Sequence, residues 1–206
     1  MPREPAVKRA VAFIDGQNLF HSAREAFGYT YPNYDALTLA GRLYQTQGWQ
    51  LAQARFYTGI PAQTDNPRWH RFWSAKLALM GRQGVHVYSR PLRYHTKVVH
   101  CPDGTTVTFL AGEEKGIDVR IALDVIRLGH RGEYDVAVLF SQDQDLSEVA
   151  EEVRVISSER RRWLKVACAF PAGPKSRTRR GINKTDWIRI DRTMYDTCLD
   201  TRDYRR

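Results

Sequence analysis

The sequence is poor in cysteine and contains no long apolar run. Its three cysteines, Cys101, Cys168 and Cys198, are far apart and form no C-x-x-C element, which argues against a disulfide framework and against a zinc ribbon. No apolar run approaches the roughly 20 residues that cross a bilayer. The first residues also lack the apolar stretch of a signal peptide. We therefore expect a cytoplasmic protein without a membrane partner.

Acidic residues are outnumbered by basic ones. The chain has 32 lysines and arginines against 23 aspartates and glutamates, which gives a formal net charge of +9, and its pI is about 9.7. Such a protein is suited to a polyanion, because each phosphate that it neutralises releases condensed counterions. An excess of arginine also keeps proteins soluble, so charge alone favours a nucleic acid as partner without establishing it.

Apolar runs and helical patterns alternate along the chain. Its 206 residues suffice for one well-buried core but not comfortably for two. Strands that alternate with helices predict a single α/β domain over residues 1–206, with a parallel sheet and helices on both faces. Ligands bind such sheets beyond the carboxyl ends of the strands. The predicted strands are 9–14, 51–58, 85–88, 134–140, 163–170 and a short element at 187–190; the predicted helices are 19–27, 34–44, one opening at 66–67, 115–128 and 146–156.

Two segments depart from this alternation. Residues 92–110 contain two β-rich arms, 94–101 and 105–110, around the turn sequence Pro102-Asp103-Gly104. We therefore predict a β-hairpin inserted into the main fold. Residues 173–184 are basic and contain glycine and proline, which predicts a flexible loop.

Acidic residues follow two of the predicted strands at their carboxyl ends. Asp15 comes directly after strand 9–14, and Asp143 and Asp145 come after strand 134–140. A helix begins at each place, so an N-cap role explains one aspartate in each case. One aspartate is enough for a cap, so the second acid after strand 134–140 makes a functional site the better interpretation.

Asp118 lies in the first turn of the predicted helix 115–128. On a helical projection it falls near Ile121 and Val125, close to the middle of the apolar face, whereas Asp124 falls on the side predicted to face solvent. A carboxylate on a core-facing stripe needs a basic side chain or a metal ion as its partner, because an unpaired buried charge is costly. We interpret Asp118 as a functional residue in preference to a structural salt bridge.

These acids converge if strands 9–14 and 134–140 are neighbours in the sheet. Several carboxylates at one point repel each other unless a hard cation lies between them. Ligation by oxygen alone favours Mg²⁺ or Mn²⁺ over zinc. A carboxylate metal site in a basic protein indicates phosphodiester chemistry, in which the ion polarises the phosphoryl oxygen and helps to generate hydroxide.

The same residues carry a resemblance to a known family. The chain resembles the NYN domain of the LabA/DUF88 group, a branch of the PIN-like nucleases. The matching segments span nearly the whole chain in the family's order. They are Phe13-Ile14-Asp15-Gly16-Gln17-Asn18, Phe56-Tyr57-Thr58-Gly59, Lys115-Gly116-Ile117-Asp118-Val119, Tyr134-Asp135, Ser141-Gln142-Asp143-Gln144-Asp145 and the ending Asp186-Trp187-Ile188-Arg189-Ile190-Asp191.

The resemblance implies a Rossmann-like, mostly parallel sheet of the PIN/NYN type, a site for Mg²⁺ or Mn²⁺, and RNA as the substrate class. By matching position, Asp15, Asp118, Asp143 and Asp145 would be the catalytic and metal-binding acids. Asn18 would be the polar catalytic residue beside them. The activity implied is that of a metal-dependent endoribonuclease.

Gln142 and Gln144 depart from the family's pattern, because small residues usually stand at these positions. Bulkier glutamines would narrow the site or change the backbone of the loop. The intact set of acids favours the endoribonuclease. The two glutamines keep a second function open, that of a non-catalytic RNA-binding or regulatory protein on the same fold.

The predicted nucleic-acid contacts are Lys115, near the start of helix 115–128, and Arg177, Arg179 and Arg180 of the basic loop 173–184. Each is either a phosphate contact or solvated charge. Arg160–Arg162 have the same two interpretations, and the loop is the better candidate because glycine and proline make it flexible. The oligomeric state stays open, with a homo-oligomer as one possibility.

Other residues are assigned to structure. Glu113 and Glu114, just before Lys115, are either an additional metal ligand or solvated charge, and we expect solvated charge because acidic pairs in loops are usually exposed. His95, His100 and Cys101 lack a fourth ligand at a suitable spacing, so we expect hairpin residues and not a zinc set. A further aromatic group is predicted to lie in the core, although its first member would be able to stack a base if exposed. Its members are Trp69, Phe72 and Trp73.

Overall fold

The computed structural model describes residues 2–204, so Met1, Arg205 and Arg206 of the predicted domain 1–206 lie outside the described residues. Helices and strands alternate along most of the chain. The strands are β1 Lys8–Asp15, β2 Trp49–Ile60, β3 His86–Pro91, β4 Arg93–His100, β5 Thr106–Glu113, β6 Val136–Phe140, β7 Lys165–Pro171 and β8 Asp186–Ile190. The helices are α1 Gly16–Phe27, α2 Ala36–Gln47, α3 Pro67–Arg82, α4 Ile117–Arg131, α5 Ser147–Glu159 and α6 Arg192–Asp196, with a 3-10 turn at Gln144–Leu146 before α5.

Six strands form one sheet in the order β3-β2-β1-β6-β7-β8. All of its neighbouring strands are parallel, which confirms the predicted fold class. The chain winds outward from β1 to β3 and then returns to place β6 on the other side of β1. Strands β1 and β6 are therefore neighbours at a point where the winding direction reverses. The crevice beyond the carboxyl ends of two such strands is where open α/β sheets bind their ligands.

Apolar residues fill the central strands because helices cover both faces of the sheet. Every residue of β6 is buried, as expected of a parallel strand packed on two sides. One apolar layer includes Leu19 and Leu39 from α1 and α2, and the other includes Ile121 and Val153 from α4 and α5. Helices α1 and α4 thus approach the β1–β6 crevice from opposite faces.

The inserted hairpin is confirmed as a separate two-stranded sheet of β4 and β5. Its arms pair from Arg93↔Glu113 to His100↔Thr106, so the hairpin runs three residues beyond the predicted 92–110. The predicted basic loop at 173–184 contains no helix or strand. Helix α2 begins at Ala36, two residues later than predicted, because the side chain of Asp35 accepts a hydrogen bond from the N–H of Thr38 at 2.8 Å and caps the helix.

Three further observations concern elements that the sequence prediction omitted or excluded. Helix α6 was not predicted; its cap, Asp191, accepts a hydrogen bond from the N–H of Met194 at 2.8 Å. All three cysteines are free. In the described part of the chain, no helix combines the length and the apolarity that a bilayer crossing requires.

Candidate functional site

Asp15 ends β1 inside the crevice and is only 6% exposed. One carboxylate oxygen accepts a hydrogen bond from the N–H of Asn18 at 3.0 Å, and the other lies 3.4 Å from the hydroxyl of Ser141, which donates to it. Asp15 is therefore the N-cap of α1 and a buried acid at the same time. Its pKa is raised to about 6, mainly by burial and in part by the nearby charge of Asp143, while its hydrogen bonds oppose the increase.

Gly16 is required where the chain turns from β1 into α1. A Cβ atom at this position would lie 2.5 Å from the ring of Phe56, so only glycine allows the helix to begin this close to β2. The hydroxyl of the fully buried Tyr34 donates a hydrogen bond to the carbonyl oxygen of Gly16 at 3.0 Å. These contacts fix the position of the Asp15 backbone.

Glu114 belongs to the same group of acids, contrary to the expectation that it is solvated. Its carboxylate accepts a hydrogen bond from the N–H of Gly59, at the carboxyl end of β2. Its pKa is raised to about 7, mainly by burial and in part by the charges of Asp15 and Asp118. The expectation does hold for Glu113, which is half exposed and pairs with Lys115 at 2.9 Å.

The position of Glu114 follows from the hairpin. An insertion that leaves the sheet after β3 has to return to the same edge before α4 begins, so its last residues come back to the carboxyl ends of the strands. The sequence contained this signal in the length of the β5 arm. The prediction ended that arm at residue 110, which left Glu114 in an apparent surface loop.

The buried face of helix α4 includes Ile121 and Val125, as predicted, but is rotated around the helix toward Asp124 and Leu128. Its buried positions include Ile121, Val125 and Leu128, and Asp118 lies at the border of this face and is partly buried. The prediction that Asp118 lies near the middle of the apolar face is wrong. Its carboxylate nevertheless raises the pKa of Glu114, so Asp118 lies within electrostatic reach of the other acids.

The prediction that Asp124 faces solvent is also wrong, because this residue is 2% exposed. Its carboxylate accepts a hydrogen bond from the hydroxyl of Tyr57 at 2.9 Å and pairs with Arg55, Arg120 and Arg127 at 3.1, 3.2 and 2.9 Å. Burial alone would raise the pKa of Asp124, but these partners hold it below its usual range. Charge at this position is therefore compensated inside the protein.

Asp143 follows β6 and is the one of the two aspartates that has the capping role. Its side chain accepts a hydrogen bond from the N–H of Asp145 at 3.0 Å and caps the 3-10 turn. It is partly buried and close enough to Asp15 to raise that residue's pKa. Asp145 is exposed, and its carboxylate has no hydrogen bond or ion pair within residues 2–204. Of the two acids, Asp143 is the one near Asp15.

These acids interact in pairs, from Asp143 to Asp15, from Asp15 to Glu114 and from Glu114 to Asp118. We call these four residues the acid cluster. No three acidic, histidine or cysteine side chains in the described residues meet closely enough to form a ready metal cage. The donors are all carboxylate oxygens, as a hard divalent cation requires. Burial is the main cause of the raised pKa values of Asp15 and Glu114, and the charges of neighbouring acids add to it; a bound cation would oppose both effects.

Asn18 and Gln142 join α1 to the loop after β6. The side-chain oxygen of Asn18 accepts a hydrogen bond from the N–H of Gln142 at 2.9 Å, and Ser22 donates to the side-chain oxygen of Gln142 at 2.9 Å. Asn18 thus lies beside Asp15, as predicted from its position, and holds together the two chain segments that follow β1 and β6.

Gln142 and Gln144 bind the basic loop. The amide of Gln142 donates to the carbonyl oxygens of Thr178 and Arg180 at 3.3 and 2.8 Å. The amide of Gln144 donates to Gly181 at 3.1 Å, and its oxygen accepts from the N–H of Asn183 at 3.2 Å. Small residues at 142 and 144 would make none of these bonds. The glutamines therefore fasten the loop next to the acid cluster.

The basic loop exposes Arg177, Arg179 and Arg180. Its backbone is held from α1 as well, since the carboxylate of Glu25 accepts hydrogen bonds from the N–H groups of Arg177 and Thr178. A polar cleft of about 550 Å³ lies between α1 and this loop. The three guanidinium groups have no ion pair within residues 2–204, so they are available to an anionic partner.

The other candidates of the sequence analysis have structural contacts. Arg162 binds Asp135 at 2.7 Å, at the amino end of β6 and far from the crevice. His95 and His100 lie on β4, where they contact Glu113 and Thr106 and not each other. The expectation of hairpin residues is thus confirmed for both histidines.

Comparison with known proteins identifies the family of the chain and a solved structure of similar fold. A model of the NYN domain matches residues 9–161, and no curated protein matches the chain. A protein of unknown function from Vibrio parahaemolyticus RIMD 2210633 is 22% identical and has a TM-score of 0.55, over 90% of this chain and 94% of that one. Ribokinase from Giardia lamblia is 10% identical over 82% of this chain and 52% of its own, with a TM-score of 0.36, too low to infer a shared fold.

The metal-free protein should lose stability as the pH rises from about 4 to about 7. Folding raises the pKa of Asp15 from 3.8 to about 6 and that of Glu114 from 4.5 to about 7. Each group binds its proton more tightly in the folded state. Its contribution to the free energy of unfolding is therefore complete below the pKa of the unfolded state and is lost as the pH rises through the pKa of the folded state. For Asp15 the loss is on the order of 3 kcal/mol. Urea unfolding in EDTA across this range measures it.

Asp15→Asn should remove the contribution of Asp15 and reduce that of Glu114, whose pKa the charge of Asp15 raises, whereas Glu152→Gln, a change at an exposed acid on α5, should leave the pH dependence unchanged. The difference between wild type and Asp15→Asn isolates Asp15 from acids such as Asp124, whose lowered pKa affects stability only at lower pH. A difference that stays constant between about pH 4 and 7 would contradict the prediction.

Proposed function

The chain belongs to the NYN domain family, and from that premise we propose that it is a metal-dependent endoribonuclease that hydrolyses RNA phosphodiester bonds. The family match supports a PIN-like nuclease fold, a nucleic acid as substrate and the general use of divalent metals. The observation that carries the proposal for this chain is the acid cluster, in which Asp15 is buried beside Asp143 and Glu114 in the β1–β6 crevice.

The donor chemistry of the cluster fits Mg²⁺ or Mn²⁺. Asp15, Asp143, Glu114 and Asp118 would hold the ion, and Asp145 is proposed as the fifth acid, at the exposed rim. When bound, such an ion polarises the phosphoryl oxygen and lowers the pKa of water. It would also replace the protons that Asp15 and Glu114 bind near neutral pH in its absence, because a cation favours the charged carboxylate.

The remaining polar groups position these acids. The N–H of Asn18 donates to Asp15 and fixes its carboxylate at the end of β1. The N–H of Gly59 donates to Glu114 and fixes its carboxylate at the end of β2. The link from Asn18 to Gln142 holds the loop that carries Asp143 against α1. We propose that Asn18 acts in catalysis through this placement beside the acids.

Arg177, Arg179 and Arg180 are proposed to bind backbone phosphates, with Lys115 as a further contact on the other side of the crevice. The basic loop lies next to the acid cluster through its bonds to Gln142 and Gln144. An RNA strand that follows the polar cleft along α1 would therefore reach Asp15. Contacts of this kind position a strand without reading its bases.

The alternative function is a non-catalytic RNA-binding or regulatory protein, and Gln142 and Gln144 are the reason to consider it. Within residues 2–204 neither side chain forms a hydrogen bond with a carboxylate of the cluster; their partners are the basic loop, the loop that carries them and the hydroxyl of Ser22 on α1. This arrangement supports the enzyme, because the glutamines extend the RNA-binding surface and do not neutralise the acids.

Labelled RNA should be cleaved with Mn²⁺ or Mg²⁺ and remain intact in EDTA. Asp15→Asn and Asp143→Asn should lower single-turnover cleavage by more than the roughly 10–100-fold typical of losing an outer-shell partner, because a neutral amide is a poor ligand for a hard cation. Asp145→Asn should have a smaller effect, since this acid is exposed. Glu152→Gln is the matched control and should cleave like the wild type.

Thermal melting provides a second measurement that does not depend on cleavage. Mn²⁺ should raise the melting temperature of the wild type by binding only the folded state, and less so in Asp15→Asn and Asp118→Asn. An unchanged wild-type melting curve in millimolar Mn²⁺ would contradict the metal site.

Replacing Arg177, Arg179 and Arg180 by alanine should weaken the binding of many RNAs alike. On a log–log plot of affinity against salt, the slope should become shallower by about 0.7 for each lost phosphate contact with a single strand. The control removes equal charge at the amino ends of the strands, where α3, α4 and α5 end. It combines Arg82→Ala, Arg131→Ala and Arg160→Ala, and an equal change of slope in both triple variants would attribute the effect to net charge alone.

The double variant Gln142→Gly with Gln144→Ser tests the fastening of the basic loop. We expect weaker RNA binding, because the loop then has to be ordered when RNA binds, and an unchanged cleavage rate at saturating RNA. Gln63→Ser, at an exposed loop position, is the control. A wild type that does not cleave, together with a double variant that does, would instead establish that the glutamines disable the site.

A further inference from the structure

A second cavity lies on the other side of the first turn of α1 from the basic loop. Its volume is about 250 Å³, and its walls include the side chains of Phe20, Trp69, Trp73 and Leu92, with Gln17, Asp65 and Asn66 as polar members. We call it the aromatic pocket. Phe72 and Trp73 are core residues, as predicted, whereas Trp69 is only partly buried and lines this pocket.

The aromatic pocket lies next to the acid cluster, since the N–H of Gln17, one of its lining residues, donates a hydrogen bond to Asp15. Gln17 is the second residue after Asp15 and belongs to the same helical turn. On the opposite wall, the side chain of Leu92 packs against Gly59, whose N–H binds Glu114. Gly16 thus lies between Gln17 of the pocket and Asp15, and Gly59 lies between Leu92 of the pocket and Glu114.

The aromatic walls are rigid. Trp69 packs edge to face on Phe72, with ring centroids 5.1 Å apart and an interplanar angle of 75°. Phe72 packs in the same manner on the buried Trp73, at 5.3 Å. The side-chain oxygen of Asn66 accepts a hydrogen bond from the N–H of Trp69 at 3.1 Å, which fixes the start of α3. The Trp69 ring is thus held in place before any ligand binds.

We propose that the aromatic pocket binds one unpaired base of an RNA strand whose backbone crosses the acid cluster. This inference rests on the proposed function. Unstacked bases of single-stranded RNA stack on aromatic side chains and form hydrogen bonds along their edges, and the pocket offers both kinds of group. Its volume is below the roughly 300–1,000 Å³ of sites for drug-sized ligands, which favours a single planar group.

The two sides of α1 then have different tasks. On one side, the cleft along the basic loop is polar and bordered by exposed arginines. On the other side, the pocket is mainly apolar and aromatic. Asp15 lies at the start of the helix between them. A strand would place its phosphates on the first side and one base on the second, so the pocket would select which phosphodiester bond lies over the acids.

The first test is the binding of a fluorescein-labelled single-stranded RNA, followed by anisotropy in EDTA so that no cleavage occurs. Trp69→Ala should raise Kd about fivefold or more, as expected for the loss of one stacked base. Trp69→Phe keeps an aromatic face and should bind nearly as the wild type. Trp163→Ala is the matched control. Trp163 is also partly buried, but it lies just before β7, at the amino ends of the strands and away from the pocket. Circular dichroism of each variant checks folding.

The second test moves a single abasic nucleotide along the RNA. One position should weaken binding to the wild type and have no further effect on Trp69→Ala, because the variant has already lost the stacking contact. Equal affinities of the wild type and Trp69→Ala would overturn the proposal and leave the pocket to another kind of ligand. So would a wild type that does not bind single-stranded RNA by about 0.1 mM, the weak end of non-specific binding.

These outcomes separate the pocket from the nuclease. Base stacking that depends on Trp69 without any metal-dependent cleavage would support the pocket and contradict the enzyme. Cleavage that depends on Asp15 while Trp69→Ala binds and cleaves like the wild type would support the enzyme and contradict the pocket.

Discussion

The arrangement of this site depends on one electrostatic constraint, the burial of the Asp15 carboxylate next to other acids. Asp15 is 6% exposed and lies within electrostatic reach of Asp143 and Glu114. Hydrogen bonds from Asn18 and Ser141 satisfy its oxygens but supply no positive charge. The local structure therefore fixes the geometry of an acid whose charge it does not compensate. Such a group is costly for folding and is characteristic of functional sites.

Much of the fold followed from the sequence because strands and helices alternate with clear periodicity. The site followed less completely, since contacts between distant segments decide it. Asp124 was assigned to solvent because a helical projection places it away from the apolar face. In the structure its carboxylate is buried and pairs with Arg55, Arg120 and Arg127. Glu114 was assigned to solvent because the return of the hairpin to the sheet edge depends on pairing that extends to Glu113. Both positions depend on a contact with a segment distant in sequence, Arg55 for Asp124 and Gly59 for Glu114.

The two glutamines illustrate the same limit from the other direction. As a departure from the family's small residues, Gln142 and Gln144 suggested a narrowed site. Their partners are carbonyl and N–H groups of residues 178–183, more than 30 positions along the chain. A sequence comparison can identify the unusual residues, but only the tertiary structure relates them to a loop that contributes exposed arginines. Their effect is to order that loop beside the acids, which reduces the entropy lost when a ligand binds it.

Two buried aspartates in this chain show how differently the same group can be treated. Asp124 is surrounded by Arg55, Arg120 and Arg127, and its pKa lies below the usual range although burial opposes this. Asp15 has no ion pair within residues 2–204, and its pKa is raised to about 6 by burial and by Asp143. The chain has 32 basic residues and uses three of them at a single structural acid, so a shortage of cations does not explain the difference. The acids of the crevice are left without a positive partner from the described protein, and a cation from solution is the partner that would allow all of them to be charged at neutral pH.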